Sequence, residues 1–188
     1  MTAAPATIDG AYPRRSRTRV AGAIVGACVT ALVAVRFGPG ADALLGCGIT
    51  AVLVLLAVVD IEERRIPNVI VLPSAAVALV AHVAVAPDRS LEWILGAALT
   101  PLFLLVPAAL APGSVGMGDV KLGLLLGATL GLQTPIAFVI AGLASVPVAV
   151  IALAREGKAG RKRTIPFGPF LAAGAIATLL LGGSAGFS

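Results

Sequence analysis

Two aspartates in this chain stand where a carboxylate is costly. Asp60 closes a long apolar run and opens the polar stretch DIEERRIPN, residues 60–68. Asp119 sits in GMGDVKL, residues 116–122, between two further apolar runs. If folding brings the two together in a partly dry site, one carboxylate can be ionised and the other protonated. The ionised one then activates water while the other gives a proton to a carbonyl oxygen. Taken singly, either aspartate also reads as an ordinary interfacial carboxylate. The chemistry depends on what positions them.

The composition defines the positioning elements. The chain has 188 residues, 59% of them hydrophobic and 12% charged, with 4% aromatic, and a mean hydropathy of +1.03. Soluble domains are closer to half apolar and a quarter charged. The apolar residues run in uninterrupted blocks long enough to cross a bilayer as helix, and the alternation of a β-barrel is missing. The fold class is therefore all-α, a polytopic transmembrane helix bundle. Seven apolar segments stand out, at about 20–36, 43–59, 69–86, 91–111, 120–133, 135–154 and 167–184, with six spans as the alternative count. Residues 1–18 read as a basic N-terminal tail and 19–186 as one membrane-embedded domain. The basic run PRRSRTR suits a retained first helix better than a cleaved signal peptide.

Lysine and arginine set the orientation. With the N-terminus in the cytoplasm, twelve of the fourteen basic residues fall on the inner side, leaving Arg36 and Arg89 outside. The net charge of +5 thus follows from loops bordering a lipid bilayer and does not indicate nucleic acid. The uncharged stretch from Leu122 to Leu153 is too long for one span and divides near Gln133-Thr134-Pro135. Its first half is short for a crossing and is expected to be surrounded by other helices. Gly123, Gly127 and Gly131 lie on one face of it, spaced for close approach of another helix.

On this topology the end of helix two, the start of helix five and the start of helix seven reach the same cytoplasmic face. They carry Asp60, Asp119 and the segment TIPFGPF, residues 164–170. By the helix dipole alone, Asp119 at an N-terminus is better placed to hold the anion than Asp60 at a C-terminus. Gly116 and Gly118 are expected to give the loop unusual backbone angles and to leave room for a peptide beside Asp119. Glu62 and Glu63 read as solvated partners of Arg64 and Arg65, and Lys121 as a residue snorkelling to headgroups. A contact to the substrate or to the dyad is the alternative for all three. Pro67 and Asn68 start helix three. His82 reads as structural, Trp93 as an outer interfacial anchor, and Cys28 and Cys47 as small buried side chains without a CxxC pair.

Three pieces together resemble one family: Asp60 followed by IEERRIPN, GMGDVKL at 116–122, and IPFGPFLAAGA at 165–175. The chain is similar to the prepilin peptidases, membrane aspartyl proteases of the GxGD type, over roughly residues 43–184. The resemblance implies that Asp60 and Asp119 are the catalytic pair, with Gly116 and Gly118 in the active-site loop. It makes Lys121, Glu62, Glu63, Pro67, Asn68, Pro166, Phe167, Gly168 and Pro169 candidate contacts to substrate or dyad. It implies no metal, no cofactor and no covalent intermediate. The implied substrates are type IV pilin-like precursors, Flp/Tad-type ones among them. They carry a short basic leader and a hydrophobic N-terminal helix and are cut at the cytoplasmic face of a bacterial inner membrane. Members with N-methyltransferase activity carry paired CxxC motifs, absent here, so peptidase activity without methylation is expected. The competing readings are a presenilin-like GxGD protease, disfavoured by Val59 before Asp60, and a transporter or non-catalytic scaffold of a pilus or secretion system. No internal repeat supports the transporter.

Overall fold

The computed structural model describes residues 12–111, 115–156 and 167–182. Among the described residues seven α-helices follow one another: α1 Tyr12–Phe37, α2 Ala41–Glu63, α3 Asn68–Val85, α4 Ser90–Leu110, α5 Met117–Leu130, α6 Thr134–Glu156 and α7 Gly168–Gly182. They match the seven expected segments closely. α1 begins earlier than the apolar pattern, at Tyr12, so the basic run enters the helix. No strand occurs among the described residues. α1 to α4 and the run from α5 into α6 are long and apolar enough to cross a membrane.

Large apolar side chains cover the outside of the bundle: Val35, Val69 and Leu110 are each more than 80% exposed, and Phe103 is 70% exposed. In water such a surface would drive association; around a transmembrane bundle it is the face that meets lipid. The protein is a multi-pass membrane protein.

α5 is the centre. Nine of its fourteen residues are buried, and it packs against α3, α4 and α7. At about 1.5 Å per residue it is roughly 21 Å long, short of the hydrocarbon thickness, and its neighbours shield it as expected. The turn into α6 falls at Gly131–Gln133, with Gly131 at φ +55°. The predicted glycine face meets α4. A Cβ on Gly96 would lie 2.6 Å from the Gly127 carbonyl oxygen, and one on Gly127 would strike the Gly96 carbonyl. Leu122, Leu125 and Leu126 fill the space towards α2, α3 and α7. In contrast, α1 packs chiefly against α2 and buries only Val33 among its described side chains.

The expectations for Trp93 and for the two cysteines need correction, while that for His82 holds. Trp93 is 1% exposed and stacks on His82, with ring centroids 4.3 Å apart, while Gly131 leaves room for its edge. It is a core residue, because the bare backbone of Gly131 opens a space that an indole fills. His82 is buried and bonded at 2.8 Å to the Ala78 carbonyl of its own helix, as a structural histidine would be. Cys28 is exposed and Cys47 half-buried, because peripheral α1 turns Cys28 away from the bundle.

Candidate active site

Asp60 lies in the last turn of α2 and is 8% exposed. The helix stops four residues later. Arg64 takes the left-handed conformation, φ 52°, and its N–H donates to the Asp60 carbonyl at 2.9 Å. The chain then runs extended into Pro67, whose carbonyl accepts the N–H groups of Ile70 and Val71 and so caps α3. Between them Ile66, an apolar residue in a charged stretch, folds inward to 7% exposure.

Asp119 is the third residue of α5. Gly116 caps that helix: its carbonyl accepts the Asp119 N–H at 3.0 Å, and its backbone amide lies near enough to favour the Asp119 carboxylate. Aspartate here occupies N3, the position from which a capping-box side chain reaches back to the start of the helix. The glycines owe nothing to unusual backbone angles. Gly116 has φ −72° and Gly118 is helical, which corrects the expectation from sequence. They border the site without clashing distances: a Cβ on Gly118 would meet Ile66 at 3.4 Å, and one on Gly116 would meet the Asp119 Oδ2 at 3.4 Å, both ordinary contacts. Ile66 therefore floors the loop from below and links the end of α2 to the start of α5.

The third segment completes the arrangement. α7 starts at Gly168, capped by the Phe167 carbonyl, and the Gly168 N–H donates to Asp60 Oδ2 at 3.1 Å. A Cβ at Gly168 would sit 2.5 Å from that oxygen and 3.0 Å from Cγ, so only glycine lets the helix end abut the carboxylate. The dipole argument from sequence was incomplete here: Asp60 ends its own helix but faces the positive end of another. Asp60 is also close enough for its charge to be felt at Asp119. Residues 60, 119 and 168, far apart in sequence, meet at one end of the bundle.

The remaining candidates divide. Phe167 is half-buried against the core and contacts the Phe170 ring at 6.4 Å. Pro169 faces α1 and α2 across a groove. Glu62 pairs with Arg19 of α1, at 3.1 Å and 3.3 Å to its two oxygens, and its side chain is only 6% exposed. That corrects the expected pairing with Arg64 or Arg65, since the left-handed turn at Arg64 directs the chain away while α1 lies alongside. Glu63 and Asn68 are exposed. Helical spacing turns Lys121 about 200° from Asp119, away from the dyad. Pro166 and the basic cluster of residues 157–163 lie outside the described residues. Sequence reading missed Arg19 and Ile66. Ile66 was detectable as the one apolar residue in EERRIPN, whereas Arg19 required knowing which helix lies beside α2.

Fold and site together describe a polytopic membrane protein with two acidic side chains gathered at one end of a helical bundle. Residues 47–153 match the model of the type IV leader peptidase family. The chain is 32% identical over 161 residues to a prepilin leader peptidase/N-methyltransferase of Bacillus subtilis, covering 86% of this chain and 65% of that protein. It is 33% identical over 152 residues to the protein of that description in Burkholderia pseudomallei, covering 78% of this chain and 49% of that one. With that of Pseudomonas putida it shares 31% over 160 residues, 81% of this chain and 55% of the relative. This chain belongs to the type IV leader peptidase family. It spans about half to two thirds of the length of these relatives. No solved structure matches it significantly.

Proposed function

We propose that the chain is an aspartyl endopeptidase that removes the short basic leader from type IV pilin-like precursors at the cytoplasmic face of the membrane. Asp60 and Asp119 form its catalytic pair. The observation that carries this reading is the meeting of Asp60, Asp119 and the start of α7 at one end of the bundle. Membership of the leader peptidase family supports the reaction class, and the distribution of lysine and arginine supports the orientation.

In the reaction the ionised carboxylate takes a proton from water as the water oxygen bonds to the scissile carbonyl carbon. The protonated partner gives its proton to the carbonyl oxygen, which leaves a neutral gem-diol. The diol then returns a proton to the partner carboxylate while the first carboxyl passes the proton it took from water to the nitrogen; the C–N bond breaks, and the amine leaves as the new N-terminus. Throughout, the Gly168 N–H holds Asp60, and the start of α5 at Gly116 positions Asp119. Such a pair shares one proton, so the cleavage rate is expected to fall at both low and high pH. N-methylation of the product is not assigned to these 188 residues, which hold two cysteines and no CxxC pair.

The test uses purified protein in lipid and a synthetic precursor with a Lys/Arg leader ending in glycine, followed by an apolar helix of about 20 residues. Mass spectrometry should find the leader released with a free carboxyl after glycine and an unmethylated amine on the remainder. A precursor left intact, across leaders of several sequences, would contradict the proposal.

A further inference from the structure

An apolar groove of about 480 Å³ runs between α1, α2 and α7. Its walls are apolar apart from Thr18. Its upper end is made by Ile61 and Pro169, the immediate neighbours of Asp60 and Gly168. From there it descends along α1 from Thr18 to Leu32, about 21 Å of helix at 1.5 Å per residue. Ala21, Gly22, Ala57, Ala172, Ala173 and Ala177 lower its walls between valine, leucine and isoleucine side chains. Small side chains of this kind let another helix approach closely in a membrane, where close packing drives association. Ala21 and Ala173 are exposed, so the groove opens to the lipid side.

A second groove of similar size lies on the other flank of α1. It is lined by α1 and α2 alone, Ala23 and Ala51 among them, and does not reach α7. The two share the α1–α2 pair and differ in their relation to the carboxylates. Only the first begins beside the Asp60–Gly168 contact.

We propose that the α1–α2–α7 groove receives the apolar helix of the precursor. This rests on the proposed peptidase reading. A peptide held with its scissile bond at Asp60 must direct the following residues into the membrane, and the groove starts at that depth and runs in that direction. The groove thus acts as a binding site separate from the dyad, selecting precursors by the segment that follows the cut.

Three tryptophan variants test this, each placed on an exposed alanine: Ala21→Trp and Ala173→Trp fill the groove, and Ala23→Trp fills the second groove as a control. The probes are the synthetic precursor with its apolar helix and a short peptide ending a few residues after the cut. Ala21→Trp and Ala173→Trp should raise KM for the precursor at least tenfold with little change in kcat, and cleave the short peptide at the unmodified rate. Ala23→Trp should cleave both normally. Unchanged KM in the two groove variants, or equal impairment in Ala23→Trp, would overturn the proposal. A second measurement is independent of turnover. A photoreactive residue at position 173, in an Asp119→Asn background, should capture the apolar segment of the precursor, and one at position 23 should not. Capture of lipid alone from position 173 would also overturn it. Capture from position 173 with no cleavage by the unmodified protein would instead remove the peptidase reading and leave the groove as a helix-binding site.

Discussion

Along the α4–α5 seam, Gly96 and Gly127 bring two backbones into contact; at the start of α7, Gly168 brings a backbone amide to a carboxylate. Along the seam the glycines face Gly96 and Ala97 backbone, Thr100, Leu104 and Trp93. The other region borders the peripheral helix α1, an ion pair and an open groove. In the first, the absent side chain serves packing, which holds helices together when lipid is as apolar as leucine. In the second it serves the position of Asp60. The difference teaches that one residue type with one steric property has its role set by what lies opposite: a carbonyl in one case, a carboxylate in the other.

Substitutions can break this comparison. Gly127→Leu forces α4 from α5 and should cost about 3 kcal/mol of stability, read by denaturant titration in detergent. Activity per folded molecule should survive in conditions that restore the fold. Gly168→Ala should do the reverse. It displaces Asp60 against the incoming Cβ and should lower cleavage about 10²-fold, with a melting temperature close to that of the unmodified protein. If the two variants showed the same pattern, the distinction between the regions would fail.

Smaller effects sharpen it. Leu126→Ala, at a fully buried position of α5, should cost about 2 kcal/mol, near the low end for such truncations, because contacts are lost but little transfer energy is at stake in lipid. Arg19→Gln should cost about 0.5 kcal/mol, since Arg19 is 63% exposed and solvent screens the pair. A loss several times larger, measured in the same titration, would mean that the ion pair anchors α1 more firmly than its exposure implies.

Much of this architecture was legible from sequence because apolar length and basic flanks are local signals. The seven segments, the turn near Gln133 and the glycine face of α5 all followed from them. The aspartates and the FGPF segment could be assigned to one end of the bundle by topology alone. Other features depend on contacts between distant residues. The Gly168 amide at Asp60, the pairing of Glu62 with Arg19 and the burial of Trp93 each require knowing which helix faces which. Trp93 shows the limit well: beside Glu92 it reads as an interfacial anchor, and only the space above Gly131 places it inside. The role of Gly116 and Gly118 was misread for a related reason. Glycine suggests unusual dihedrals, and only the backbone itself shows that Gly116 has φ −72° and that Gly118 is helical.

The most direct test of the central claim is the cleavage rate of the synthetic precursor by Asp60→Asn, Asp119→Asn and the double variant, at matched amounts of folded protein. If the two carboxylates act as one unit, each single change should reduce the rate about 10³-fold or more, and the double variant should be no slower than the singles. Cleavage at close to the unmodified rate by either single variant, or losses that multiply in the double, would contradict a shared dyad.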